Sequence, residues 1–188
     1  MRAFARAVLP VLWILVAVAC KGEARIDPVR LGVTPDFDPA AAAPPSGSVS
    51  LQEAAVDAGH ITLDVVVTDV SVPIAGIAFK LSFPGDIALF ESCSINDAIL
   101  PPGTCYVSQT PLHTDEVVIS WTTVNPQPPV TVAGTWTMLR LRFLVFGVGT
   151  GSSDVVFESP NLGGGSALLD GNGDPILATW HGGILSGS

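Results

Sequence analysis

Two stretches of the chain alternate apolar and polar residues with a period of two. Ile61, Leu63, Val65 and Val67 stand at every second position with Thr62, Asp64 and Thr68 in the alternate places; Ile77, Phe79, Leu81 and Phe83 do the same around Lys80 and Ser82. A strict period of two sends successive side chains to opposite faces, so each run predicts a strand with one buried and one wet face. The Ser/Pro/Gly break from Asp69 to Gly76 is too long for a two-residue hairpin turn and suits a looser crossing. Downstream, Val117, Ile119, Trp121 and Thr123 alternate with Glu116, Ser120 and Thr122, which puts Trp121 in the core. Trp136 to Phe146 is the longest predicted strand, with Leu139, Leu141, Phe143 and Val145 on one parity. Simple counting then gives Trp136, Arg140 and Arg142 the opposite, outward parity, and these three form the candidate binding face.

Shorter runs complete the pattern. Val49 to Leu51 predicts a short edge strand, Asp57-Ala58-Gly59 a turn, and Ile87, Leu89 and Glu91 a strand after the Pro84-Gly85-Asp86 turn. Val155 and Phe157 form another strand. Ala167 to Leu177 reads as a hairpin around an Asp/Gly/Asn turn, and Thr179 to Leu185 as a last strand. About eight or nine strands and no segment of helical period predict an all-β domain, two antiparallel sheets packed face to face.

The N-terminus lacks this alternation. Arg2 and Arg6 precede an apolar run from Ala7 to Ala19, the layout of a secretory signal and too short to span a bilayer as a mature helix. Ala17-Val18-Ala19-Cys20 resembles the lipobox of bacterial lipoproteins, which implies lipidation of Cys20 and attachment to a membrane by acyl chains alone. Lys21, where Asp would be the retention signal, points within that resemblance to the outer membrane. Residues 20 to 47, with Pro39, Pro44, Pro45 and Gly47, are expected to be lipid anchor and flexible tether, and 48 to 188 the folded domain.

Composition agrees with a turn-rich β protein: 19 Gly, 16 Pro and 13% charged residues in 188. The 17 acidic against 8 basic residues argue against nucleic acid, whose phosphates demand a basic patch. Cys93 and Cys105 flank a Pro101-Pro102-Gly103 loop, and in an exported chain a disulfide is favoured, with two free thiols or a metal pair as the alternatives.

Catalytic chemistry finds little support. No Gly-x-Ser-x-Gly elbow occurs, and His181-Gly182-Gly183 is only superficially similar to an esterase oxyanion loop. His60, His113 and His181 share no metal spacing, and the adjacent Asp115 and Glu116 point to opposite faces of a strand. Asp170-x-Asn172-x-Asp174 copies half an EF-hand, but Pro175 and His181 occupy its Gly and Glu positions, so a hairpin turn is the better reading. No cofactor and no enzymatic activity are expected.

Gly59 to Val67, then Ala75 to Pro84, resemble the opening strands of cohesin domains; Ala133 to Phe143 is similar to a later cohesin strand and Leu169 to Ile176 to the final hairpin. The order is right across most of residues 49 to 188. Phe83-Pro84-Gly85-Asp86 departs from the usual aromatic-Asp-Pro, and the Cys93/Cys105 insertion is atypical. The resemblance implies a jelly-roll sandwich of about nine strands and a binding role with dockerin domains as partners, without assigning contact residues. The competing expectation is polysaccharide, stacked on Trp136, Trp180 and Tyr106 if these rings align on one exposed sheet.

Overall fold

The computed structural model describes residues 33–96, 105–108, 115–123, 128–146, 153–158 and 165–188. The expected signal peptide, Cys20, the first part of the tether, the Pro101-Pro102-Gly103 loop and His113 lie outside the described residues. Among the described residues none is helical, and thirteen strands follow one another. They are β1 (Pro35–Pro39), β2 (Ser48–Asp57), β3 (His60–Thr68), β4 (Gly76–Ser82), β5 (Ala88–Ile95), β6 (Tyr106–Ser108) and β7 (Glu116–Thr122), then β8 (Thr135–Val145), β9 (Ser153–Phe157), β10 (Ala167–Leu169), β11 (Pro175–Ile176), β12 (Thr179–His181) and β13 (Gly183–Gly187).

One sheet runs β12-β2-β3-β8-β5. In the other, β4 is central: β7 pairs with its whole length on one side and carries β6, while β9 and β10 share its other side. From β9 that sheet continues through β13 to β1, and from β10 to β11. Every pairing is antiparallel except β12 with β2. Alternation along β3, β4, β7 and the second half of β8 buries Ile61, Leu63, Val65, Phe79, Leu81, Ile119, Trp121, Leu141 and Phe143 between the sheets. Each large apolar side chain buried there stabilises the fold by about 1.5–3 kcal/mol. Phe79 meets Phe157 edge-on, and Phe143 meets both Phe83 and Phe90 in the same way.

Several expectations are corrected. The stretch assigned to the tether enters the fold at Val33: β1 pairs along its length with β13, and Val33, Pro35 and Phe37 alternate inward. Prolines are tolerated there because β1 is an edge strand. Glu53 accepts the Phe37 N–H at 3.2 Å, capping one amide of that edge. Residues 40–47 then form a strap. Gln52 Nε2 donates to the Ala41 carbonyl and Ser48 Oγ to the Pro45 carbonyl, both from the outward side of β2, and Ser48 and Ser50 are fully buried. Accordingly β2 is a ten-residue strand lying between β12 and β3, not a three-residue edge.

In β5 the inward residues are Ala88 and Phe90, with Leu89 facing out, the reverse of the expected parity. The expected last strand is two. Gly182 divides β12 in one sheet from β13 in the other, at a point where a Cβ would run into the Val155 carbonyl oxygen. The predicted turn at Ala58-Gly59 is a two-residue hairpin with φ of 41° and 84°, the pairing of left-handed conformations that matches strand twist.

Candidate interaction faces

The sandwich has two outer faces, and the residues singled out from the sequence lie on one of them only in part. On the five-stranded sheet, Arg140 stands between Asp64 of β3 and Ser94 of β5, and Arg142 between Thr62 and Ser92. Arg140 Nε donates to Asp64 Oδ1 at 2.9 Å, Thr137 Oγ1 donates to the second oxygen of the same carboxylate at 3.0 Å, and Arg142 Nε donates to Glu91 at 3.2 Å. His60 Nε2 lies 3.4 Å from that Glu91 carboxylate. Both arginines are thus engaged within their own sheet, and the strap closes the β2 end of the same face.

Trp136 is not with them. Leu139 pairs with Val65 but Thr137 with Val66, so Met138 is an extra residue in β8 and the parity reverses beyond it. Thr137 takes the outward position beside Asp64, while Trp136 turns to the core side, opposite the fully buried Val67, and donates its indole N–H to the Ala133 carbonyl at 2.9 Å. Met138 itself is fully buried. Trp180 is likewise interior, tilted against Phe79 and edge-on to Phe157. Tyr106 is on the other sheet. The three rings expected to form a sugar platform therefore share no face.

The second face is the outer side of β4, β7 and β6. Register places Ala167, Ala78, Ser120 and Tyr106 in one row across β10, β4, β7 and β6; Lys80, Val118 and Ser108 form the next, and Val156, Ser82 and Glu116 the row beyond. Small side chains make a flat floor from which Tyr106 (59% exposed) and Val118 (45%) stand out. Lys80 Nζ pairs with Glu116 Oε1 at 2.8 Å; that hydrogen bond holds the ammonium above its ordinary pKa, and the charges of Glu116, Glu158 and Asp115 act in the same direction. An open depression of about 560 Å³ lined by Phe83, Pro84, Gly85, Asp86 and Asp115 adds one further carboxylate, Asp86, to this acidic rim. In the sequence Lys80 and Ser82 mark only the polar side of a strand, Phe83 to Asp86 only a turn that departs from the cohesin pattern, and Asp115 and Glu116 only neighbours on opposite strand faces. Tyr106 was read only as a sugar-stacking ring, and Ala78, Ser82, Ser108 and Ser120 gain meaning only from the register.

The border of this face is held in two ways. On the β10 side, the Asp170 carboxylate accepts the N–H groups of Asn172 and Asp174 at 2.8 and 2.9 Å, closing the β10–β11 hairpin; these bonds hold its pKa below the ordinary 3.8. The half EF-hand is thus a turn whose first ligand position is occupied by its own backbone. On the β6 side, Cys105 is disulfide-bonded to Cys93 of β5, with Cα atoms 6.2 Å apart. β6 has three exposed residues. Ordering them costs about 1–2 kcal/mol each, against roughly 0.5–1.5 kcal/mol net per ladder hydrogen bond. Closing the twelve-residue separation by a disulfide contributes on the order of 3 kcal/mol in the chain-entropy account.

No protein-family model and no curated protein matches this sequence. Solved structures do match. A cohesin of Clostridium acetobutylicum, CaCohA2, superposes with a TM-score of 0.54 at 15% identity, over 72% of this chain and 90% of that one. A type II cohesin of Acetivibrio cellulolyticus gives 0.51 at 15% identity, over 76% and 95%. The Coh-OlpC cohesin–dockerin complex of Clostridium thermocellum gives 0.53 at 14%, over 68% and 83%. The two-sheet jelly roll of this chain is therefore the cohesin fold.

Proposed function

We propose that this chain is a non-catalytic binding module that docks a protein partner of dockerin-like type on the outer face of β4, β7 and β6. It would be exported and held by acyl chains on Cys20, on the outer membrane. The observation that carries the proposal is the flat floor of Ala78, Ser82, Ser108 and Ser120 beneath exposed Val118 and Tyr106, on a sandwich of cohesin fold. Protein interfaces favour such a surface, with an apolar or aromatic centre and a polar rim, over one whose charges already satisfy each other. Cohesins of the same fold have been solved in dockerin complexes, which supports a protein partner over a polysaccharide, and the dispersed aromatic rings support the same choice.

The test is retention of proteins from the source organism on the immobilised mature chain carrying Cys20→Ala, followed by competition with variants. Retention lost with Val118→Asp and kept with Arg140→Ala is the expected result; retention that depends on the arginines alone would falsify the assignment of the face. Labelling with a radioactive fatty acid, present in the native chain and absent in Cys20→Ala, tests the anchor separately.

A further inference from the structure

The four shortest strands are held in different ways. β10 buries Leu168, β11 buries Ile176, and β12 packs Trp180 against both Phe79 and Phe157. Each of these three is pinned by one apolar side chain at the core. β6 has no such pin: Tyr106, Val107 and Ser108 are all exposed, and among the described residues its pairing is with β7 alone. What reaches the core at that place is Cys105, immediately before β6, bonded to Cys93. Cys93 pairs with Leu141 on the inward parity of β5, the edge strand of the opposite sheet. The bond therefore crosses between the two sheets and substitutes for the missing apolar pin.

We propose that the Cys93–Cys105 disulfide is a clamp that positions β6, so that the face carrying Tyr106 is complete only in the oxidised chain. The consequence for binding rests on the docking face assigned above; the clamp itself does not. A dithiol opens it by exchange: one thiolate attacks a cystine sulfur and forms a mixed disulfide, and the second thiol resolves it. Cys93 and Cys105 leave as thiols, and the reductant becomes a cyclic disulfide, two electrons and two protons having passed to the protein. A chain still in a reducing compartment then carries an unfinished face; after export, exchange with a disulfide oxidant, which takes up the two electrons and two protons and becomes a dithiol, joins Cys93 to Cys105 and completes it.

Hydrogen exchange measured by mass spectrometry on the mature chain, before and after dithiothreitol and in a Cys93→Ala/Cys105→Ala variant, tests the clamp without any partner. Exchange of the Tyr106–Ser108 amides should accelerate at least tenfold in both reduced and variant chains while β3 and β8 keep their protection. Unchanged protection of Tyr106–Ser108 would overturn the clamp. So would equal loss across β3 and β8, which would assign the bond to the stability of the whole sandwich. Because no partner enters, either failure is distinct from failure of the docking face, which the retention experiment decides.

Discussion

On the outer face of the five-stranded sheet, Asp64 holds Arg140 and Thr137, Glu91 holds Arg142, and the 40–47 strap lies along β2. On the outer face of β4, β7 and β6, one ion pair sits among alanines and serines, with a tyrosine and a valine projecting. The first face is the more conspicuous in the sequence because it has the arginines. Any partner there must first separate pairs that the sheet has formed for itself, and each separation returns only part of what it removes. The second face has one such pair to break, Lys80 with Glu116, against the several of the first. Visible charge is thus a poor guide to where a β-sandwich binds when cross-strand neighbours neutralise it.

The largest expected effect separates the faces directly. Replacing both Tyr106→Ala and Val118→Asp should weaken partner binding at least a hundredfold, since central apolar or aromatic contacts are each worth about 2 kcal/mol or more. The melting temperature should stay within the small range of surface substitutions, because both side chains are exposed. Arg140→Ala with Arg142→Ala should change binding less than about threefold. Calorimetric titration of the retained partner against both double variants measures this, and a reversal of the two results would move the site to the other sheet.

Trp136 gives the next contrast. As a member of the arginine face its loss would leave stability untouched; packed on the core side with its indole N–H bonded, Trp136→Ala should lower unfolding stability by roughly 1–3 kcal/mol. Denaturant unfolding reads the difference, and a neutral result would return the ring to the surface. Asp64→Ala should lower stability less, about 1 kcal/mol, by leaving Arg140 and Thr137 without their common acceptor. If Asp64→Ala matched Arg140→Ala in a double-mutant cycle with zero coupling, the self-neutralised description of that face would fail.

How much of this was legible follows from what periodicity can report. The cores of β3, β4, β7 and the part of β8 from Leu139 onward were readable because large apolar residues recur there at every second position, and the Asp170 turn because its residue types have a backbone reason to be there. Counting by twos fails at a bulge, since an inserted residue leaves the composition unchanged and reverses everything beyond it. Met138 was the available clue, a large apolar side chain at a position that counting assigns to the arginine side. β1 was hidden because Pro39, Pro44, Pro45 and Gly47 give the stretch around it the composition of a solvated tether, although Val33, Pro35 and Phe37 alternate correctly for an edge. The β4–β7–β6 floor had no local signal at all: Ala78, Ser120 and Ser108 come from three strands and become neighbours only through register.

The smallest effect concerns the border of that floor. Asp170 has a folded pKa below its unfolded 3.8 because the amides of Asp174 and Asn172 bind the ionised carboxylate. A depressed carboxylate contributes stability that is present above the unfolded value and lost as pH falls through the folded one. Asp170→Asn removes the charge at every pH. Its melting temperature should therefore lie below that of the native chain at pH 6, and the gap should narrow as the pH is lowered beneath 3.8. Because the hairpin joins the sheet through β10, whose Ala167 lies beside Ala78, the loosening should stay at this border and leave the charged face of the other sheet unaltered. A gap that stayed constant through the acid range would show that the Asp170 carboxylate is not what closes the turn.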